Sequence, residues 1–178
     1  NFCSYCKVPF VRGKPRSKPV DKILKEAANL AANGFKEIVL CGVCLGAYGK
    51  DLSSRPGLVE AIEGIESISG LTRIRLSSIE AADVTDRLIN KMAESDKLCR
   101  HLHIPLQSGD DSILRRMNRK YTHKKYLNLI RKIKTAVPGA AITTDVIVGF
   151  PGESEENFRN TVKLIKAVCP LKTHIFPY

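Results

Sequence analysis

The chain has 178 residues, 43% of them hydrophobic, no tryptophan and a formal net charge of +11. This length buries one sizeable core, and no apolar run approaches the roughly 18 residues of a membrane helix, so no membrane partner is expected. A basic excess of this size favours a polyanionic partner, RNA foremost, over charge that serves solubility alone.

The chain opens on Asn1-Phe2-Cys3-Ser4-Tyr5-Cys6. Thiolates at Cys-x-x-Cys spacing grip one metal or one iron–sulfur cluster, although zinc knuckles and thiol redox sites share the spacing. A [4Fe–4S] cubane with an open iron takes three cysteines, and this stretch supplies two. Residues 7–19 are basic, broken by Pro9, Pro15 and Pro19, and predicted as a loop. The six cysteines form no dense disulfide framework. A reducing cytoplasmic setting is therefore expected. Cys41 and Cys44 repeat the Cys-x-x-Cys spacing, so a four-thiolate zinc site with Cys3 and Cys6 is one reading. The other is that Cys41 is a buried small residue closing the apolar strand Ile38-Val39-Leu40.

From residue 20 a rhythm sets in. Apolar residues at helical spacing predict helices over 20–32, 57–68, 82–95, 110–119, 122–136 and 154–168. Strands are predicted over 35–41, 72–77, 100–106, 140–148 and 172–178. Alternating strand and helix argues for an α/β fold with a parallel sheet and helices outside. A partial barrel and a doubly wound sheet both fit this pattern.

Ligands gather at the C-terminal ends of such strands, and the residues there are chemically varied. Glycines follow Cys41, then Ser77-Ser78-Ile79-Glu80 follows the next strand. Pro105-Leu106-Gln107-Ser108-Gly109 comes after, with Arg119 further on, a combination that suits an anion. Asp145 stands within a strand among Ile142, Val146, Ile147 and Val148, where a carboxylate needs donors. Phe176 and Tyr178 can stack on a base or pack. His101 and His103 share a strand face and form a possible metal pair; His123 and His174 stand alone in the sequence. No serine-hydrolase triad and no phosphate-binding Gly-Lys-Ser/Thr loop is present.

Together these stretches resemble the radical S-adenosylmethionine methylthiotransferases. The resemblance rests on Cys3-Ser4-Tyr5-Cys6-Lys7-Val8-Pro9 with Arg12-Gly13 and Arg16-Ser17, on Gly42 to Gly49, and on Leu76-Ser77-Ser78-Ile79-Glu80. His103 to Gly109, Met117 to Thr122 and Thr144 to Glu153 continue it. It spans residues 1–178, and the ending Thr173-His174-Ile175-Phe176-Pro177-Tyr178 looks most like the branch that modifies threonylcarbamoyladenosine. Ala81 stands where proline is usual and Cys44 where asparagine is common.

The resemblance implies a partial (β/α)6 TIM-like barrel of the radical S-adenosylmethionine type, its first strand missing from this chain. Residues 1–178 would be the core domain, lying between an N-terminal methylthiotransferase domain and a C-terminal RNA-binding domain. It implies a transferase that adds a methylthio group to a modified adenosine beside the tRNA anticodon, through a 5′-deoxyadenosyl radical. The alternatives are a branch acting on a ribosomal protein aspartate and a non-enzymatic zinc-binding RNA module. The implied cofactors are a [4Fe–4S] cluster, S-adenosylmethionine and a second [4Fe–4S] cluster in the N-terminal domain. The implied partners are tRNA and an electron donor such as flavodoxin or ferredoxin. Cys3 and Cys6 would be cluster ligands; without the first cysteine of the three, the chain as it stands is not expected to hold a normal cluster. Tyr5, Gly42, Val43, Ser78, Gln107, Arg119, Asp145 and Phe176 would bind S-adenosylmethionine. Among them Gly42 and Val43 would border its amino group, Arg119 its carboxylate, Asp145 and Gln107 its ribose, and Phe176 its adenine. Arg12 and Arg16 would meet the tRNA.

Overall fold

Parallel strands laid down in sequence order frame the molecule. A computed structural model describes residues 2–178; Asn1, where the resemblance begins, lies outside the described residues. The elements are α1 (Val8–Arg12), α2 (Val20–Ala32), β1 (Glu37–Leu40), α3 (Leu58–Glu66), β2 (Arg73–Leu76) and α4 (Asp86–Glu94). They continue as β3 (His101–His103), α5 (Asp111–Arg116), α6 (His123–Ala136), β4 (Ala141–Val148), α7 (Glu155–Val168) and β5 (Lys172–Pro177). β1 pairs with β2, and β3, β4 and β5 pair in that order, all parallel. A bridge between Ile74 and Leu98 links the two ladders. A doubly wound sheet reverses its strand order at a switch point. This order never reverses, so the partial barrel is the architecture.

The helices begin where the sequence provides caps. Thr85, Thr122 and Ser154 each accept a backbone N–H at the head of α4, α6 and α7, and Asn157 completes a capping box with Ser154. The cap at Thr85 also explains one difference from the expected helix over 82–95. Val84 is extended, and a separate 3-10 turn covers Ala81–Asp83. A second difference lies in the basic segment, expected as loop, where α1 makes a short helix with Pro9 in its first turn. Proline is tolerated there because those N–H groups have no helical partner.

The two faces of the sheet differ sharply. Ile142, Thr144 and Val146 of β4 are buried beneath the helices, as are Leu102 and Ile104. Tyr126 of α6 is fully buried against this layer and donates its hydroxyl to the Ile104 carbonyl at 2.7 Å. The opposite face carries Glu37, Arg75, His101, His103, Thr143 and Asp145, none of them fully buried. The core therefore lies between sheet and helices, and the concave side of the open barrel is left polar.

Ser108-Gly109 has a structural role. Gly109 N–H donates to Thr161 Oγ1 of α7 at 2.9 Å, and a Cβ on Gly109 would lie 2.5 Å from Thr161 Cα, so glycine allows α7 to close on this turn. Asp110 beside it caps α5, accepting from Ser112 N at 2.8 Å, and its other oxygen accepts from Asn160 Nδ2 of α7 at 2.8 Å. Burial opposes ionisation of Asp110, but the bonds from Ser112 and Asn160 prevail and hold its carboxyl well below the usual carboxylate range. A depressed carboxylate stabilises the fold above its unfolded value of about 3.9, and the contribution is lost as pH falls through the folded value. Asp110→Asn should cost about 1 kcal/mol at neutral pH through lost charge-assisted bonds. Urea unfolding at pH 7 and pH 3 should show that difference shrinking in acid; a difference independent of pH would contradict this account.

Candidate active site

The Cys3–Cys6 loop is a tight turn, closed by Cys6 N–H donating to the Cys3 carbonyl at 3.0 Å. It docks on the segment that leaves α5. Ser4 N–H donates to the Met117 carbonyl at 3.2 Å, Ser4 Oγ to the Arg116 carbonyl at 2.8 Å, and Asn118 Nδ2 to the Phe2 carbonyl at 2.7 Å. Asn118 adopts a left-handed φ of 58°, which turns the chain so that Arg119 points back at the loop.

Arg119 is the hub. Its side chain is only 3% exposed. Nη1 donates to Glu80 Oε1 at 3.1 Å, to Cys3 Sγ at 3.3 Å and to Tyr5 Oη at 3.4 Å, while Nη2 meets Glu80 Oε2. Nε donates to the Tyr121 hydroxyl at 3.1 Å, and the guanidinium carbon lies 5.0 Å from the Tyr121 ring centre. Burial alone would favour the neutral form, but the oxygens of Tyr121, Glu80 and Tyr5 raise its pKa above the ordinary arginine value. Burial pushes the Tyr5 phenol well up against the lowering pull of Arg119, and pushes the Tyr121 phenol up to about 12. Among the described residues the carboxylate on Arg119 is that of Glu80.

A cleft of about 1640 Å³ opens between this loop and the C-terminal ends of the strands. Cys3, Tyr5, Cys6, Gly42, Val43, Glu80, Gln107 and Arg119 line it, and Arg12 and Arg16 stand exposed on its wall. The basic segment is pinned there by Ser17, whose N–H donates to Asp51 at 2.8 Å and whose Oγ accepts from Gly49 N–H at 2.9 Å. Gln107 enters the cleft from a left-handed backbone, φ 66°, unusual for a side-chain-bearing residue.

Ser78, Asp145 and Phe176 do not line this cleft. Ser78 is exposed, whereas the preceding Ser77 Oγ is buried without a hydrogen-bond partner among the described residues. Among the described residues Asp145 finds its donors in two histidines. Oδ2 lies 3.0 Å from His103 Nε2, and Oδ1 lies 3.0 Å from His174 Nδ1. His103 Nδ1 and His101 Nε2 both meet Thr143 Oγ1, at 2.9 and 3.1 Å. The strand pair His101 and His103 therefore shares a threonine. The three-residue group with converging ligand atoms is His103–Asp145–His174, one residue from each of three strands. Sequence spacing could not show it, because His174 is brought to Asp145 only by the β4–β5 register. Cys41, expected to be buried, is exposed beyond the end of β1. Cys41 and Cys44 do not join Cys3 and Cys6 in a four-thiolate group among the described residues.

An open parallel barrel with a thiolate turn docked at its strand ends is the form of a cluster-bearing barrel enzyme. The chain belongs to the radical SAM superfamily, whose model matches residues 1–165. It is 47% identical over 168 residues to the tRNA-2-methylthio-N(6)-dimethylallyladenosine synthase of Carboxydothermus hydrogenoformans, covering 94% of this chain and 38% of that protein. The protein of the same name from Acetivibrio thermocellus is 47% identical over 178 residues, covering 100% of this chain and 37% of the relative. The chain thus spans well under half the length of these curated relatives. Among solved structures, methylornithine synthase superposes with a TM-score of 0.67 at 17% identity, covering 100% of this chain and 50% of that one. Coproporphyrinogen III oxidase from Escherichia coli gives 0.62 at 12% identity, over 89% of this chain and 37% of its own. These two likenesses concern the fold.

The Glu80–Arg119 pair can be weighed directly. Glu80→Ala leaves a buried guanidinium without its carboxylate and should cost about 3 kcal/mol. Arg119→Met should cost less in the Glu80→Ala background than alone, with a coupling of about 2 kcal/mol by a double-mutant cycle in urea. Additive effects would show that the pair does not hold the loop.

Proposed function

We propose that this chain is the radical core of a methylthiotransferase acting on an adenosine of tRNA that carries a substituent on N6. The observation that carries the reading is the convergence of Cys3, Cys6, Gln107 and Arg119 on one cleft at the strand ends, with Arg12 and Arg16 on its wall. The relatives described above are named for dimethylallyladenosine, and we place that nucleoside ahead of threonylcarbamoyladenosine, which the ending of the sequence favoured.

The donor set fits a cluster in part. Cys3 and Cys6 present two thiolates to the cleft, two of the three that a [4Fe–4S] cubane with an open iron takes. With S-adenosylmethionine, such a cluster supplies one-electron cleavage of a carbon–sulfur bond, the hard step of this chemistry. The chain's own task is position. Arg119, itself held by Glu80, fixes the loop through Cys3 and Tyr5, so the thiolates are presented from a rigid base. The exposed backbone of Gly42-Val43 at the end of β1 and the Gln107 side chain offer polar groups to an amino acid and a ribose. The Tyr5 and Val8-Pro9 walls narrow the cleft and limit water. The electron would come from a flavodoxin or ferredoxin, and a second cluster would lie outside these residues.

Two measurements test this. In the full-length protein, reconstituted without oxygen, Cys3→Ala or Cys6→Ala should abolish the iron–sulfur absorbance and S-adenosylmethionine cleavage. The unsubstituted protein should yield a methylthio nucleoside from tRNA bearing dimethylallyladenosine, by mass spectrometry. Cleavage retained in either variant, zinc in place of iron and sulfide, or modification only of a ribosomal protein would overturn the reading. Secondly, tRNA affinity should fall steeply with salt, because phosphate contacts release counterions. Arg12→Ala and Arg16→Ala should each reduce the logarithmic salt slope by about 1; an unchanged slope would remove these arginines from the interface.

A further inference from the structure

Arg119 Nη1 carries two N–H bonds and faces three acceptors: Glu80 Oε1 at 3.1 Å, Cys3 Sγ at 3.3 Å and Tyr5 Oη at 3.4 Å. At least one N–H is therefore shared. The Glu80 carboxylate is the nearest of the three and also meets Nη2, so it governs how the guanidinium is divided. Glu80 is itself held by the chain: its backbone is extended, and its carbonyl accepts from Asp83 N–H at 2.9 Å where the 3-10 turn after β2 begins. Cys3, Tyr5, Glu80 and Arg119 all line the cleft. With the Arg119 side chain 3% exposed, charges here are screened little and act on one another more strongly than in water.

For a cysteine that ligates an iron–sulfur cluster, a hydrogen bond to its sulfur and a cation beside it both favour the state with one more electron, and both raise the reduction potential. An unpaired Arg119 at Cys3 would clamp the turn and at the same time weaken the reductant. We propose that Glu80 keeps the potential of a cluster held by Cys3 low, by neutralising Arg119 and by competing with Cys3 Sγ for the Nη1 protons. Glu80 acts through Arg119 and is a positioning residue. In the step concerned, the flavodoxin or ferredoxin gives up one electron and the cluster gains it, with no bond or proton transferred. The inference rests on the function proposed above and adds which residue sets the driving force for that electron. It also gives a reason for an acid at this position that holding the loop alone does not, since a neutral acceptor could hold a guanidinium too.

The test uses the full-length protein, reconstituted without oxygen and titrated potentiometrically in the absence of S-adenosylmethionine, with the reduced cluster read by electron paramagnetic resonance. Glu80→Gln keeps an oxygen for the guanidinium and removes the charge. It should raise the midpoint potential by about 59 mV, a tenfold rise in the ratio of reduced to oxidised cluster at a set potential. Glu80→Asp, which keeps the charge, should stay close to the unsubstituted protein. Arg119→Gln should shift the midpoint downward, which keeps the inference open to refutation if Glu80→Gln holds no cluster. Glu80→Gln combined with Arg119→Gln should return towards the unsubstituted value, which a merely structural role for the pair would not produce. An unchanged or lowered midpoint in Glu80→Gln, an equal rise in Glu80→Asp, or a rise in Arg119→Gln overturns this inference and leaves the proposed function standing. An unsubstituted protein that assembles no [4Fe–4S] cluster overturns the proposed function as well.

Discussion

A guanidinium taken out of water is costly unless its donors are met, and at Arg119 they are met by residues from three separate stretches. Glu80 comes from the segment after β2, Cys3 and Tyr5 from the N-terminal loop, and Tyr121 from the approach to α6. The cost of burying the charge thus becomes a constraint on geometry. If the loop moves away, Arg119 loses Cys3 and Tyr5. If the β2 segment moves, it loses its carboxylate. The hydroxyl of Tyr121 extends the constraint to the carbonyls of Pro105 and Leu106, at 3.0 and 2.8 Å, where the chain turns into Gln107. The cysteine turn, too short to have a core of its own, borrows rigidity from this network.

The barrel is used differently from a closed one. A closed eight-stranded barrel fills its interior with side chains. Here the apolar layers lie outside, between sheet and helices, and the concave face bears ionic and imidazole groups. Glu37 pairs with Arg73 and Arg75 at 3.0 and 3.1 Å, and further along come the His101, Thr143, His103, Asp145 and His174 contacts. Each strand alternates between these two environments, so one hydrophobic pattern builds the fold while the complementary positions stay free for recognition. Burial lowers the pKa of His101, helped by Arg75 and His103, which favours the neutral ring at that point in the chain of contacts.

The charge distribution follows the same division of labour. The basic segment after the cysteine turn is held by Ser17 on Asp51 and by the Tyr48 hydroxyl on the Lys18 carbonyl at 2.8 Å. Arg12 and Arg16 are left exposed at the wall of the cleft, where a polyanion can approach without disturbing the buried Arg119. One arginine serves structure because it is enclosed, and the others are available because they are not.

Local chemistry made much of this legible in the sequence. Helical spacing and capping residues placed α2, α6 and α7 almost to the residue, because caps and periodicity act over a few neighbours. The cysteine turn could be singled out by its spacing, and Gln107 with Arg119 by their place after a predicted strand, and the cleft does gather them. What the sequence could not determine were facts of register and strand order. Alternating elements fit two architectures, and only pairing in unbroken order separates them. The two histidines on Asp145, the carboxylate on Arg119 and the exposure of Cys41 each depend on which residues from distant strands and loops are brought together. Proximity across strands is decided by packing of the whole sheet against its helices, and no short stretch of sequence contains that information.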